Sequence, residues 1–68
     1  MKLTETETQL TRLLMQFIED ETSIIGVMLA LKKEEQQEEM IDYIIDNKDN
    51  LTKQMIMKEM GKLIEKYK

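Results

Sequence analysis

Eight consecutive positions, Ile24-Ile25-Gly26-Val27-Met28-Leu29-Ala30-Leu31, carry no polar side chain. Wound into a helix, they spread apolar surface over nearly every azimuth, and a helix that is apolar all round is a buried one. The stretch is too short to span a bilayer, which takes about 20 apolar residues, so its cover has to come from protein. The chain has 68 residues to work with and contains no cysteine, histidine or proline. Disulfides are therefore excluded and most transition-metal sites are disfavoured as staples for the fold. A chain of this size buries only about 60% of the surface its unfolded form exposes. One small core is the limit, and residues 1–68 are expected to form a single domain held by side-chain packing, within one copy or between two.

The remaining residues read as helices. Leu, Met, Lys, Glu and Gln dominate, while β-branched and aromatic residues other than isoleucine are too sparse to build a sheet. Leu10, Leu13, Leu14, Phe17 and Ile18 share one helical face opposite Arg12, Gln16 and Glu19, which predicts helix 1 over about 5–19. The apolar run is helix 2, about 22–32, with Asp20 or Thr22 as its N-cap. Gly26 and Ala30 would let another backbone approach it closely. Met40, Ile41, Ile44 and Ile45 place a third helix at about 35–46. On one unbroken helix their stripe would lie roughly 150° from that of helix 2, and a small core cannot serve both faces. A turn near Lys33 and Glu34 resolves this, although no glycine or proline marks it. The alternative is a single long helix that needs a partner chain. Asp46-Asn47-Lys48-Asp49-Asn50 is a loop. Thr52 then caps a last helix at about 52–66, carried by Ile56, Met60, Leu63 and Tyr67, in which Gly61 marks either a close contact or a break. The expected fold is an all-α, compact bundle of three to four short helices with helix 2 central.

Chemistry is hard to place on this chain. Without histidine or cysteine, acid-base and nucleophilic work falls to carboxylates, lysines, two tyrosines and a lone serine, Ser23, with no activating base nearby. No catalytic residue is assigned, and no enzyme is expected. Glu35, Glu38, Glu39 and Asp42 are helical neighbours, yet they read as a solvated face balanced by Lys32 and Lys33. Asp46, Lys48 and Asn50 imitate the start of a calcium loop, but Leu51 stands where glycine is needed and Met57 where glutamate is needed. With both glycines isolated in helical patterns, no phosphate loop exists either. No metal, cofactor or small-molecule substrate is expected.

Charge is distributed unevenly. Residues 1–47 hold four basic and eleven acidic side chains, whereas 48–68 hold six basic and three acidic. Lys58, Lys62 and Lys66 form a row along the last helix. The segment from Met40 to Leu63 resembles the helix, loop and "LT"-led helix of winged-helix and helix-turn-helix regulators, here with Leu51, Thr52 and Gly61, over about a third of the chain. That resemblance implies DNA binding through Lys53, Gln54, Lys58 and Lys62, in a small regulator of a mobile element or phage. A net charge of −4 and a single arginine rank nucleic acid second, because phosphate binding draws on clustered Lys and Arg.

Protein contact ranks first. Met15 and Met55 fall at the edges of their apolar stripes, and Leu51, Met55 and Met57 could form an exposed hydrophobic patch, so these four are the interface candidates. The expectation is a small acidic, non-enzymatic protein acting through protein-protein contacts, as a homodimer or with another protein. MKLTETETQL lacks the apolar core of a secretory signal and no stretch can span a membrane, so the cytoplasm is the expected compartment. The lysine and isoleucine excess resembles the coding habit of an AT-rich genome, and a low-GC bacterium or its phage is the expected source.

Overall fold

The computed structural model describes residues 2–68 and contains four helices. Helix α1 spans Glu5–Phe17, α2 Glu21–Ala30, α3 Glu34–Asn47 and α4 Lys53–Lys66, and no strand occurs among the described residues. The radius of gyration is 10.9 Å, the value of about 11 Å expected of a compact chain of this length.

The starts of α1, α2 and α4 are each set by a short polar side chain that accepts from an orphan backbone N–H, whereas Lys33 at the start of α3 offers no such acceptor. Thr4 and Glu7 form a reciprocal capping box at α1, with Glu7 N donating to Thr4 Oγ1 at 3.1 Å and Thr4 N donating to Glu7 Oε1 at 2.9 Å. Asp20, rather than Thr22, caps α2 by accepting from the backbone N–H of Ser23. Thr52 caps α4 through the N–H of Met55, as its sequence position implies. Helix α1 is shorter than its pattern suggests. It stops at Phe17 because Ile18 turns into extended backbone and buries its side chain in the core.

The chain does turn between α2 and α3. Leu31, fully buried, anchors the reversal, and two glutamines from the first turns of α3 hold it. Gln37 Nε2 donates to the Leu31 carbonyl at 2.7 Å, and Lys33 N donates to Gln36 Oε1 at 3.0 Å. The second glutamine contact reaches further, since Gln36 Nε2 also donates to the Leu63 carbonyl of α4 at 3.3 Å.

Packing is heaviest between α3 and its neighbours α1 and α4, and lighter where α2 meets α1 and α4. Leu10 and Leu14 of α1, Ile24 and Val27 of α2, Met40, Ile41 and Ile44 of α3, and Ile56 and Leu63 of α4 meet in one core with Ile18 and Leu31. Burial is thus concentrated in α3, where the two glutamines join three apolar residues, rather than in α2. The expectation that α2 is covered on nearly every side is not met. Helices α1 and α4 pack against one side of it and leave the opposite face in solvent.

Gly61 neither breaks α4 nor marks a close approach, since the helix runs through it and an added Cβ would meet nothing within 4 Å. Gly61→Ala should therefore stabilise the fold by about 0.5–1 kcal/mol through helix propensity alone. A higher urea midpoint is the expected reading, and a lower one would contradict the open surroundings of this position.

Candidate interaction surface

The uncovered face of α2 is the largest departure from a well-covered core. Ile25 is 56% and Leu29 66% exposed, and beside them stand Leu3 at 57% and Met15 at 63%. Helix α1 positions Met15 on the side away from Leu10 and Leu14, and the chain preceding Thr4 lays Leu3 alongside α2. Two shallow depressions mark the seam. One, of about 360 Å³, is lined by Leu3, Glu7, Thr11, Ile24, Met28 and Leu29 among others. The other, of about 230 Å³, lies between Met15, Thr11, Glu21, Ile24 and Ile25. Adjacent exposed aliphatic side chains of this kind mark association surfaces more often than scattered single ones do.

Of the four interface candidates from sequence, Met15 alone reaches this surface. Leu51 and Met57 are half-buried and pack on the core, and Met55 is half-buried at the start of α4. The exposed patch expected there is reduced accordingly, because the loop after α3 folds Leu51 inward. Leu3, Ile25 and Leu29 join Met15 on the α1–α2 surface without standing at the edge of any apolar stripe. The signal for the last two was present in the all-round apolarity of α2, which a chain with three other short helices cannot cover.

The basic residues of α4 are divided. Lys53 lies 3.8 Å from the carboxylate of Asp20 across the α2–α4 contact, with both side chains about half exposed. Lys66 is bound to Glu39 at 2.7 Å. Gln54, Lys58 and Lys62 remain on the solvent side of the helix. Two lysines are thus left of the row, with Glu59 and Glu65 as near neighbours in the chain.

Among the described residues, the acidic row of α3 is likewise engaged at one point only. Glu39 accepts from Lys66 Nζ and from the Tyr67 hydroxyl, joining α3 to the end of α4. Lys33 Nζ donates to the Tyr67 carbonyl at 3.2 Å, and the ammonium groups of Lys33 and Lys66 lie 5.8 and 5.6 Å from the centre of the Tyr67 ring. No group of three carboxylates among the described residues is placed to hold a metal ion. Ser23 is equally occupied, its hydroxyl donating to Asp20 at 2.6 Å as part of the α2 cap.

The Glu39 cluster has a pH signature. The Lys66 ammonium, and then the Tyr67 hydroxyl, hold the Glu39 carboxyl below its ordinary value, while Glu39 in turn raises Lys66 and Tyr67 above theirs. A carboxyl whose folded pKa is depressed stabilises the fold above the unfolded value of about 4.3 and loses that contribution as pH falls through the folded value. A raised lysine or tyrosine stabilises below its unfolded value, about 10, and loses it as pH rises through the folded one. Melting temperature should therefore be flat across neutral pH and fall on both sides. In Glu39→Gln both falls should be shallower, and superimposable pH profiles would show that the cluster contributes nothing.

No family model, no curated protein and no solved structure matches this chain.

Proposed function

We propose that this chain is a small non-enzymatic cytoplasmic protein that works through protein contact, and that the α1–α2 face receives a second copy of the same chain. The observation that carries the reading is the pair Ile25 and Leu29, more than half exposed on a helix whose every side chain from 24 to 31 is apolar. Surface area supports it. A monomer of 8.1 kDa is expected to expose about 4500 Å², whereas this chain exposes 4989 Å², about a tenth more. The radius of gyration is ordinary, so an extended shape does not account for the excess. The reading of no catalysis is supported by the absence of histidine and cysteine and by the use of Ser23 as a cap.

Sedimentation equilibrium tests the proposal. The weight-average mass of the protein should rise from 8.1 kDa toward twice that value over the micromolar range. Leu29→Glu should hold it at the monomer mass with an unchanged helical circular dichroism spectrum, because a carboxylate at an exposed site leaves the fold intact but is costly to bury in an interface. A wild-type chain that stays monomeric at hundreds of micromolar would overturn the reading.

Binding of DNA by a regulator of helix-turn-helix type competes with it, through exposed Gln54, Lys58 and Lys62. The pairing of Lys53 with Asp20 and of Lys66 with Glu39 weakens that reading, since the phosphate contribution scales with the number of free cations. Retarded DNA fragments at about 50 mM salt would reverse the order of the two.

A further inference from the structure

We infer that the second copy docks with its α2 antiparallel to α2, about a two-fold axis that passes between Ile25 and Gly26. The inference rests on the self-association proposed above and adds its orientation. The outward face of α2 consists of Thr22, Ile25, Gly26 and Leu29, all exposed. Read in opposite directions, these four match themselves, as a two-fold interface requires. Thr22 meets the partner's Leu29, and Ile25 meets the partner's Gly26. The space for that second contact exists, because a Cβ built on Gly26 would meet nothing within 4 Å.

Charge selects the direction. Glu19, Asp20 and Glu21 stand at the start of α2, and Lys32 and Lys33 follow its end. Antiparallel pairing about that axis brings the acidic start of each α2 to the basic end of the partner's. Among the described residues no ion pair within the chain engages Glu19, Glu21 or Lys32. Antiparallel pairing supplies those partners and opposes the two helix dipoles, whereas parallel pairing would stack carboxylates on carboxylates and align the dipoles. A standard interface takes roughly 800 Å² from each partner, about a sixth of the 4989 Å² exposed here. A ten-residue helix is about 15 Å long, so α2 alone does not fill that footprint. Leu3 and Met15 extend it on the same side, and micromolar association is the expected strength.

The natural absence of cysteine makes disulfide trapping unambiguous. Thr22→Cys and Leu29→Cys are each prepared, oxidised alone, and oxidised as an equal mixture, with Gly61→Cys as a control for random collision. In the antiparallel pair, like positions are displaced along the axis by about 10 Å, beyond the roughly 7 Å that a disulfide bridges. The expected result is a covalent dimer in the mixture, identified by mass as one chain of each variant, with no more than the control level in either variant alone. Covalent dimers from each variant alone would establish parallel pairing and overturn the inference. So would an uncrosslinked mixture whose components both sediment as dimers, which would place the contact on another face while leaving self-association intact. A monomeric wild-type chain would remove both.

Discussion

Replacing Ile44 with alanine should remove roughly half of this protein's stability. The side chain is fully buried in α3, the helix that packs most heavily against both α1 and α4. Truncation there removes the transfer free energy of three carbons and leaves a cavity that neighbouring helices close only in part, together about 2–5 kcal/mol. A 68-residue chain at typical stability per residue has only about 3–10 kcal/mol to lose. Urea denaturation followed by circular dichroism should show a midpoint displaced far toward zero, and at the upper end of the range a chain unfolded without denaturant. Ile45, the next residue, is half exposed, and its truncation should cost well under 1 kcal/mol. Equal effects at the two positions would contradict the orientation of α3.

A second large loss is expected from Gln37→Ala. This amide is only 3% exposed, and its Nε2 donates to the carbonyl of Leu31 at the point where the chain leaves α2. Alanine would leave that carbonyl without its side-chain donor and open a void around it, costing about 1–3 kcal/mol. For a domain of this size each kcal/mol moves the melting temperature by about 4–8 °C, so a fall of roughly 5–20 °C is expected. Amide exchange should also accelerate around residues 31–37, where Gln36 and Gln37 close the turn. A variant as stable as the wild type would mean that α2 and α3 reverse direction for reasons of apolar packing alone.

The stretch from Lys32 to Glu39 shows why part of this structure was not legible in the chain. In a run of lysines, glutamates and glutamines, all eight positions look like a solvated face. Two of them, Gln36 and Gln37, are buried, and every buried side-chain polar atom among the described residues has a partner. A neutral amide is worth burying when a carbonyl stands within reach, and the carbonyls here belong to Leu31 and to Leu63, 27 residues away from Gln36. Such a distant partner leaves no periodic trace. Leu51 teaches the opposite lesson. Its place in the chain near Met55 and Met57 suggested an exposed patch, and the loop that carries it decided otherwise.

Periodicity and local polar chemistry determined the helical class, a cap at Asp20 or Thr22, the cap at Thr52 and a loop within Asp46 to Asn50, and they favoured a turn near Lys33 over one long helix. These follow from interactions between residues three and four apart, and the chain states them directly. The structure chose Asp20 and kept Asp46 and Asn47 in α3. The apolar surplus of residues 24–31 was equally plain. What tertiary structure alone decided is which side of that surplus stays uncovered. Coverage depends on how the other helices are angled around α2, a property of side-chain volumes and long-range contacts, and it left Ile25 and Leu29 facing solvent where one short chain had no further helix to lay over them.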